Sequence, residues 1–164
     1  MSDKLKLAAL DLPDLEVISA HLQDAVMLIG DMRYDAVAGS IIFLLNRFDW
    51  SRTGQNGGDQ PYRRRQTALQ FDRVQRVRSR KIRIDAKMAV LSLLNIAYEQ
   101  TDAPSGCVKL TFSGGGEMEL EVECIEARLA DTGAEWETAS RPDHESQDSV
   151  DGSQPEHTGS VSEE

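Results

Sequence analysis

Three arginines at alternate positions, Arg76, Arg78 and Arg80, are the residues of this sequence best placed to do chemistry. Alternate side chains of a β-strand share one face, so on a strand the three guanidinium groups would form one basic row. Lys81 and Arg83 follow the row and extend its charge. Because guanidinium groups bind phosphates and carboxylates through several hydrogen bonds, these five residues are the candidate anion-binding site.

A structural role for the same row is the competing hypothesis. Glu119, Glu121 and Glu123 also alternate, and if the two strands are neighbours the basic and acidic rows neutralise each other. Basic residues also protect a sheet edge from aggregation. The sequence leaves three roles open: internal pairing, binding of an external anion, or binding of the acidic C-terminal segment.

Residue types that support catalysis or metal binding are sparse. His21 is the only histidine before His144, and neither Cys107 nor Cys124 has an activating partner nearby in sequence. The two cysteines lack the paired spacing of a zinc site, and the glycines at 114–116 join two strands instead of leading into a helix. We therefore expect no catalytic residue, no metal and no cofactor, and we favour a noncatalytic role without excluding an enzyme.

Asp49 and Trp50 are the candidate partner-surface residues. They end a β-rich run and precede a polar, glycine-rich stretch, residues 51–62, which we predict to be a mobile loop. Aromatic side chains at such positions contribute to many interfaces, although a tryptophan at a strand end also closes a core.

The charge of the chain is segregated. The net charge is −10, yet residues 51–87 contain eleven basic and three acidic side chains, whereas residues 117–164 contain two basic and fifteen acidic ones. No apolar run has the length of a signal peptide or of a membrane span, so we expect a cytoplasmic protein without a membrane partner. From about residue 140 the composition predicts a disordered acidic tail, which leaves residues 1–139 as a single domain.

The elements that position these residues are mostly strands. We predict a first strand at 4–10, a helix at 12–25 capped by Asp11, and a hairpin through the runs MLIGDMRYDA and SIIFLLNRFDW. Residues 71–82 fit either a helical turn or two strands joined by a bend near Asp72. Residues 89–99 fit either a central strand or a buried helix.

A second hairpin, residues 107–123, is the clearest local structure. With a loop at 114–116, its apolar pairs are Val108 with Val122, Leu110 with Leu120, and Phe112 with Met118. This register places Cys107 on the polar face and Cys124 on the apolar one. Next, Ile125 and Leu129 are four apart and Gly133 follows, a pattern that predicts a short C-terminal helix.

This order of elements predicts an α+β fold. An antiparallel sheet would carry a helix from the N-terminal half and a C-terminal helix packed on the strands. A pleckstrin-homology-like fold is one interpretation, and an open antiparallel sheet with both helices on one face is the other.

Four strings carry a family resemblance: HLQDAV at 21–26, LNRFDW at 45–50, FDRVQRVRSRKI at 71–82 and VECIEARLADTG at 122–133. They resemble the bacterial domain-of-unknown-function family 2948 from about Leu5 to Asp143. The resemblance implies a bacterial cytoplasmic protein and assigns no catalytic residue or ligand.

Three functions follow from the sequence as hypotheses. The first is a noncatalytic module or adaptor that offers a sheet edge or loop to an unidentified protein partner. The second is binding of nucleic acid or another polyanion by residues 63–87, regulated by the acidic tail. The third is an unrecognised enzyme or binder of a small molecule. The sequence does not determine the oligomeric state.

Overall fold

The computed structural model describes residues 4–49 and 62–138, with side chains at 62–63 and 134–138 left aside. This part of the chain contains one α-helix, α1 (Leu12–His21), and ten strands. The strands are β1 (Lys6–Ala9), β2 (Val26–Leu28), β3 (Met32–Asp35), β4 (Ser40–Phe48), β5 (Tyr62–Phe71), β6 (Val74–Arg80), β7 (Val90–Gln100), β8 (Gly106–Phe112), β9 (Glu117–Val122) and β10 (Ala127–Thr138). Short 3-10 turns occupy Ile29–Asp31 and Ser113–Gly115.

The strands form one antiparallel sheet in the order β1-β10-β5-β4-β2-β7-β8-β9-β6, with β3 added beside β4. Apart from β1, both ends of the sheet are formed by the same two segments of chain. One segment continues from β5 into β6, and the other continues from β9 into β10. The Asp72 N–H donates to the Glu126 carbonyl at 2.9 Å and the Glu123 N–H to the Arg73 carbonyl at 3.0 Å, so pairing continues across the bend. The sheet therefore returns on itself around one core.

The core follows from alternation along the strands. Inward side chains of β4, β5, β8 and β9 are buried at every second position, and residues from both halves of the sheet belong to one apolar cluster. The Phe43 and Phe71 rings pack edge to face with centroids 6.5 Å apart.

Helix α1 fills the side of the sheet where β2, only three residues long, stops short along β7. Asp11 caps the helix by accepting the Asp14 N–H at 3.0 Å, as its sequence predicts. Leu15, Ile18 and Leu22, spaced three and four residues apart, are fully buried and form the apolar face of the helix and of the turn that ends it. The helix ends at His21 instead of residue 25, because the chain turns into β2.

The predicted C-terminal helix is wrong, and with it the α+β class and the pleckstrin-homology-like interpretation. Residues 127–138 form β10, which pairs with β1 on one side and with β5 on the other. Ile125 and Leu129 are four apart, a spacing that also fits a strand when Ala127 completes the alternation, and all three are buried. Gly133 has φ +106 and lies within a register shift of β10 instead of ending a helix.

The other element predictions are largely confirmed. The first hairpin is β3–β4, residues 71–82 are two strands joined by a bend at Asp72–Arg73, and residues 90–100 are a strand. In the second hairpin the facing pairs differ by two residues from the prediction, with Val108 opposite Leu120 and Leu110 opposite Met118. A shift of two keeps every side chain on its predicted face. The shift arises because the turn is Ser113–Gly115 instead of residues 114–116.

Three predictions lie wholly or partly outside the described residues. Of the predicted loop at 51–62, only Tyr62 is described, and it begins β5. The predicted tail at 140–164 and Trp50 also lie outside. The boundaries of a single domain at 1–139 remain a prediction.

Candidate functional site

The basic row of β6 faces the acidic row of β9. Arg76 is opposite Glu121, Arg78 opposite Glu119 and Arg80 opposite Glu117. The acidic row that faces the arginines therefore includes Glu117 instead of the predicted Glu123. The Arg78 guanidinium lies 3.2 Å from Glu119 and 3.3 Å from Glu121, and Arg76 lies 4.0 Å from Glu121. The internal pairing that the sequence left open is therefore present, which weakens the case for a phosphate-binding row.

The pairing does not cover the whole anion-binding candidate. Arg80 lies within 4.0 Å of no carboxylate in the parts of the chain that the structure describes, and Lys81 and Arg83 after it are exposed. Arg76 and Arg78 also remain more than half exposed. Binding of an external anion by these five residues stays a prediction.

The partner-surface candidate Asp49 lies inside the molecule. Its carboxylate accepts a hydrogen bond from Arg65 Nε at 3.0 Å, and both side chains are almost completely buried. A carboxylate in this position neutralises an interior arginine instead of facing solvent. A partner contact at Asp49 and Trp50 remains a prediction.

Asp49 belongs to a polar end of the sheet interior. Along β4 and β5 the inward positions change from apolar side chains to Arg47 and Arg65, and on β10 Asp131 follows Leu129 in the same way. Asp131 accepts two hydrogen bonds from Arg47, at 3.0 and 2.9 Å, and one from the Leu5 N–H at 2.7 Å. Two ion pairs thus satisfy the interior charges.

Thr67 is the exception in this polar end. Its side chain is fully buried opposite Asp131, and its hydroxyl has no hydrogen-bond partner among the described residues. A buried hydroxyl without a partner is destabilising relative to an apolar group of the same shape.

The ion pairs alter two pKa values. Burial alone would raise the pKa of Asp131, but the hydrogen bonds from Arg47 and Leu5 and the charges of Arg47 and Arg65 lower it overall. At the end of α1, burial and the Arg47 charge lower the pKa of His21, while the Asp131 and Asp49 carboxylates oppose the shift. His21 is therefore mostly neutral at neutral pH, next to the polar end.

The Cys107 thiol is not activated as a nucleophile. Both Cys107 and Cys124 are free and half-buried. Burial and the Glu119 carboxylate raise the pKa of the Cys107 thiol, which favours its protonated form near neutral pH. No group of three or more metal-ligating side chains occurs within residues 4–49 and 62–138.

A groove lies between α1 and β7. One part, of about 430 Å³, is bounded by five consecutive β7 residues, 94–98, and by one face of the helix that includes Leu12, Glu16 and Ser19. A second part, of about 320 Å³, shares Leu12 and Tyr98 with the first. It extends the groove to Leu10, Gln100, Pro104, Cys124 and Ile125.

The floor of this groove contains an open strand edge. Strand β7 pairs with β2 at three residues and bonds to Asp24 and Ala25 through Leu93. Beyond Leu93, it pairs with β8 alone among the described strands. The Ile96 N–H faces α1, where it donates to the Ser19 hydroxyl at 3.0 Å. Since the direction of backbone groups alternates along an antiparallel strand, the N–H and C=O groups of Tyr98 and Gln100 also turn away from β8, into the groove.

Several apolar side chains beside this edge are exposed. Leu10, Leu12 and Leu94 are 72%, 39% and 44% exposed, respectively. They were not predicted as a site, because residues 89–99 fit a central strand or a buried helix, in which Leu94 would be covered. Two signals were available: apolar residues on either side of the helix cap Asp11, and a Leu-Leu pair interrupting the alternation of β7.

The fold defines this chain as an antiparallel-sheet protein, whose described part has a single helix and an open-edged groove. Comparisons with known proteins show its family. A family described as a protein of unknown function (DUF2948) matches residues 5–144, so the chain belongs to this family, as its sequence motifs predicted. No curated protein and no solved structure matches the chain. In the described residues, no helix is long and apolar enough to cross a membrane.

Proposed function

We propose that this chain is a noncatalytic protein-binding module of the bacterial cytoplasm, and that it binds an extended segment of its partner in the groove between α1 and β7. The single observation that supports the proposal is the open edge of β7 at Tyr98 and Gln100, next to the exposed side chains of Leu10 and Leu12. Backbone groups that lack a strand neighbour, beside apolar side chains, are the two features that strand addition uses.

The geometry sets the register of the bound segment. The Ser19 hydroxyl already occupies the Ile96 N–H, so a new strand can pair with β7 only from Tyr98 onwards. There it would exchange backbone hydrogen bonds with Tyr98 and Gln100, while its apolar side chains contact Leu10, Leu12 and Ile125. The remaining part of the groove, beside Leu94 and Glu16, would hold the residues that precede or follow the paired ones.

The bound segment should be apolar with a basic residue near one end. Glu16 is the only charged side chain among the residues that line the two described parts of the groove. A carboxylate on a largely apolar surface favours a cation in the ligand and disfavours an anion.

A peptide-display selection on the full chain tests the proposal. Peptides selected from a random library should bind the wild-type protein and lose at least about tenfold in affinity, about 1.4 kcal/mol, on the variants Leu12→Asp and Leu94→Asp. An aspartate at position 12 lies in the first turn of α1, where negative charge stabilises a helix, so this variant should remain folded. Val37→Asp, at a side chain that is 98% exposed in the β3–β4 turn, is the matched control.

Hydrogen exchange provides the second measurement. Peptide binding should slow exchange of the Tyr98 and Gln100 amides, because these N–H groups become paired. Selected peptides that bind both groove variants as well as wild type, or that leave these two amides unprotected, would show that the binding surface lies elsewhere.

A further inference from the structure

Strand β6 is the longest described strand that is bonded along one side only. Six of its seven residues pair with β9, with a register shift at Gln75, and no other described strand lies beyond it in the sheet order. Within the described residues, only the first residue of β6 bonds elsewhere through its backbone, where the Val74 N–H donates to the Gly39 carbonyl at 2.9 Å. Along the rest of β6, every second residue turns its N–H and C=O away from β9, towards solvent.

The charged rows on the outer face have a fixed order at this edge. The arginines of β6 are outermost and the glutamates of β9 lie one strand further in. Adjacent strands are about 4.8 Å apart, so a strand added to β6 would lie next to the arginines and about 10 Å from the glutamates. The field that such a strand meets is therefore that of the arginines, although the two rows nearly cancel at long range.

The same order of charges disfavours pairing of β6 with the β6 strand of a second copy of this chain. Two β6 strands paired antiparallel around Arg78 would place Arg78 opposite Arg78 and Arg76 opposite Arg80. Like charges directly opposite each other destabilise a strand pair. Self-association through this edge is thus disfavoured, whereas a strand with acidic side chains at alternate positions is favoured at each arginine.

The inner face adds a second requirement. Val77 is opposite Leu120, and Ser79, although exposed, is opposite Met118, so both side chains are on the face of β6 that continues the inner face of β9. Val77 is half-buried against the core, and Ile82 after the strand is packed there too. The residues between the acidic ones would therefore be apolar or small, and would extend the apolar layer past the edge.

We infer that the free edge of β6 binds an extended segment of a protein partner in which acidic residues alternate with apolar or small ones. Each acidic side chain of the bound segment pairs with Arg76, Arg78 or Arg80. Arg80 has no carboxylate partner among the described residues, so binding there breaks no described ion pair. This surface is separate from the groove beside α1. The acidic residues after position 139 do not supply the pattern, since only Asp143 and Glu145 among them are two apart.

Binding of designed peptides to the full chain tests the inference. Three peptides as long as β6 are compared by fluorescence anisotropy: glutamate alternating with valine and threonine, lysine in place of each glutamate, and the first composition with all glutamates in one block. We expect the alternating glutamate peptide to bind at least about tenfold more tightly than the other two at low salt. Its affinity should fall as salt increases, because the ion pairs are exposed.

Two variants and a control locate the site. Arg80→Gln and the double variant Arg78→Gln, Arg80→Gln should each weaken binding of the alternating glutamate peptide, by about threefold and about tenfold, respectively. Arg128→Gln is the matched control, because Arg128 is an exposed arginine of β10 that pairs with Asp72 at 3.2 Å. Arg80 forms no ion pair with the described residues that the single variant could break, so weaker peptide binding by Arg80→Gln would not be assigned to unfolding.

Hydrogen exchange again distinguishes strand addition from general attraction. The alternating peptide should protect amides of residues 75–80 and leave Tyr98 and Gln100 unchanged, which separates this surface from the groove. Equal binding of the block peptide, no protection in 75–80, or equally tight competition by single-stranded DNA would overturn the inference. The last result would identify a polyanion surface instead.

Discussion

Arg47 and Asp131 form a two-bonded ion pair inside the sheet, with Nε–Oδ1 and Nη2–Oδ2 distances of 3.0 and 2.9 Å. The arginine side chain is 6% exposed and the aspartate 1%. The pair joins β4 to β10 across β5, and the bond from the Leu5 N–H to the same carboxylate ties the residue before β1 to it. One carboxylate thus connects the N-terminal strand to the middle of the sheet.

Removing one partner of this pair should be strongly destabilising. Asp131→Ala leaves the Arg47 charge buried without its carboxylate, a change that costs about 3–5 kcal/mol in comparable pairs. Urea denaturation followed by circular dichroism measures the free energy of unfolding. The double variant Arg47→Met, Asp131→Leu removes both charges and should recover most of the loss. If it is no more stable than the single variant, the cost comes from packing instead of charge.

The stability of the protein should decrease in acid partly through Asp131. The folded-state pKa of this carboxyl is lowered, so its contribution is fully present above the unfolded-state value of about 3.9 and is lost as pH falls through the lower folded-state pKa. The difference in urea midpoint between wild type and Asp131→Asn should therefore shrink as pH falls below about 4. A difference that stays constant across this range would exclude the linkage.

Thr67→Val should leave the protein equally stable or make it more stable. The hydroxyl is buried without a described partner, and valine replaces it with a methyl group of similar shape while keeping strand propensity. We expect a change between zero and about 1 kcal/mol of stabilisation. Thr132→Val is the control, because the Thr132 hydroxyl donates to Gln66 Oε1 at 2.8 Å, and its loss should cost stability. A Thr67→Val variant that is clearly less stable would point to an ordered water bonded to this hydroxyl.

Alternation predicted which faces of the strands are buried wherever the alternation is unbroken. In β8 and β9 the predicted inner and outer faces are those observed, and the error in register leaves them unchanged. The register depended on which three residues form the turn, which three consecutive glycines do not fix. The turn is Ser113–Gly115, in which Gly114 and Gly115 take positive φ, and the Phe112 N–H donates to the Gly116 carbonyl at 2.9 Å.

Two features could not be predicted from local sequence: the polar end of the interior and the strand conformation of β10. Both depend on contacts between residues far apart in the chain. Arg47 continues the inward positions of Leu45 and Phe43, but a charged side chain at an inward position normally marks the end of the core. Only the pairing of β10 with β5 brings Asp131 within reach of Arg47, and that pairing joins residues about sixty apart in sequence. Local spacing could not distinguish this strand from a helix.

Breaking the exposed pairs of β6 and β9 should cost far less than breaking the interior pair. Arg78 is 52% exposed and its carboxylate partners Glu119 and Glu121 are 21% and 37% exposed, so Arg78→Ala should reduce the free energy of unfolding by at most about 1 kcal/mol. The cost should shrink further in about 0.5 M salt, because ions screen exposed charges, whereas the cost of Asp131→Ala should not. Both comparisons use urea denaturation at two salt concentrations. If Arg78→Ala costs as much as Asp131→Ala, the arginine row serves chiefly to hold β6 on the sheet. In that case fewer of its charges would remain for a partner.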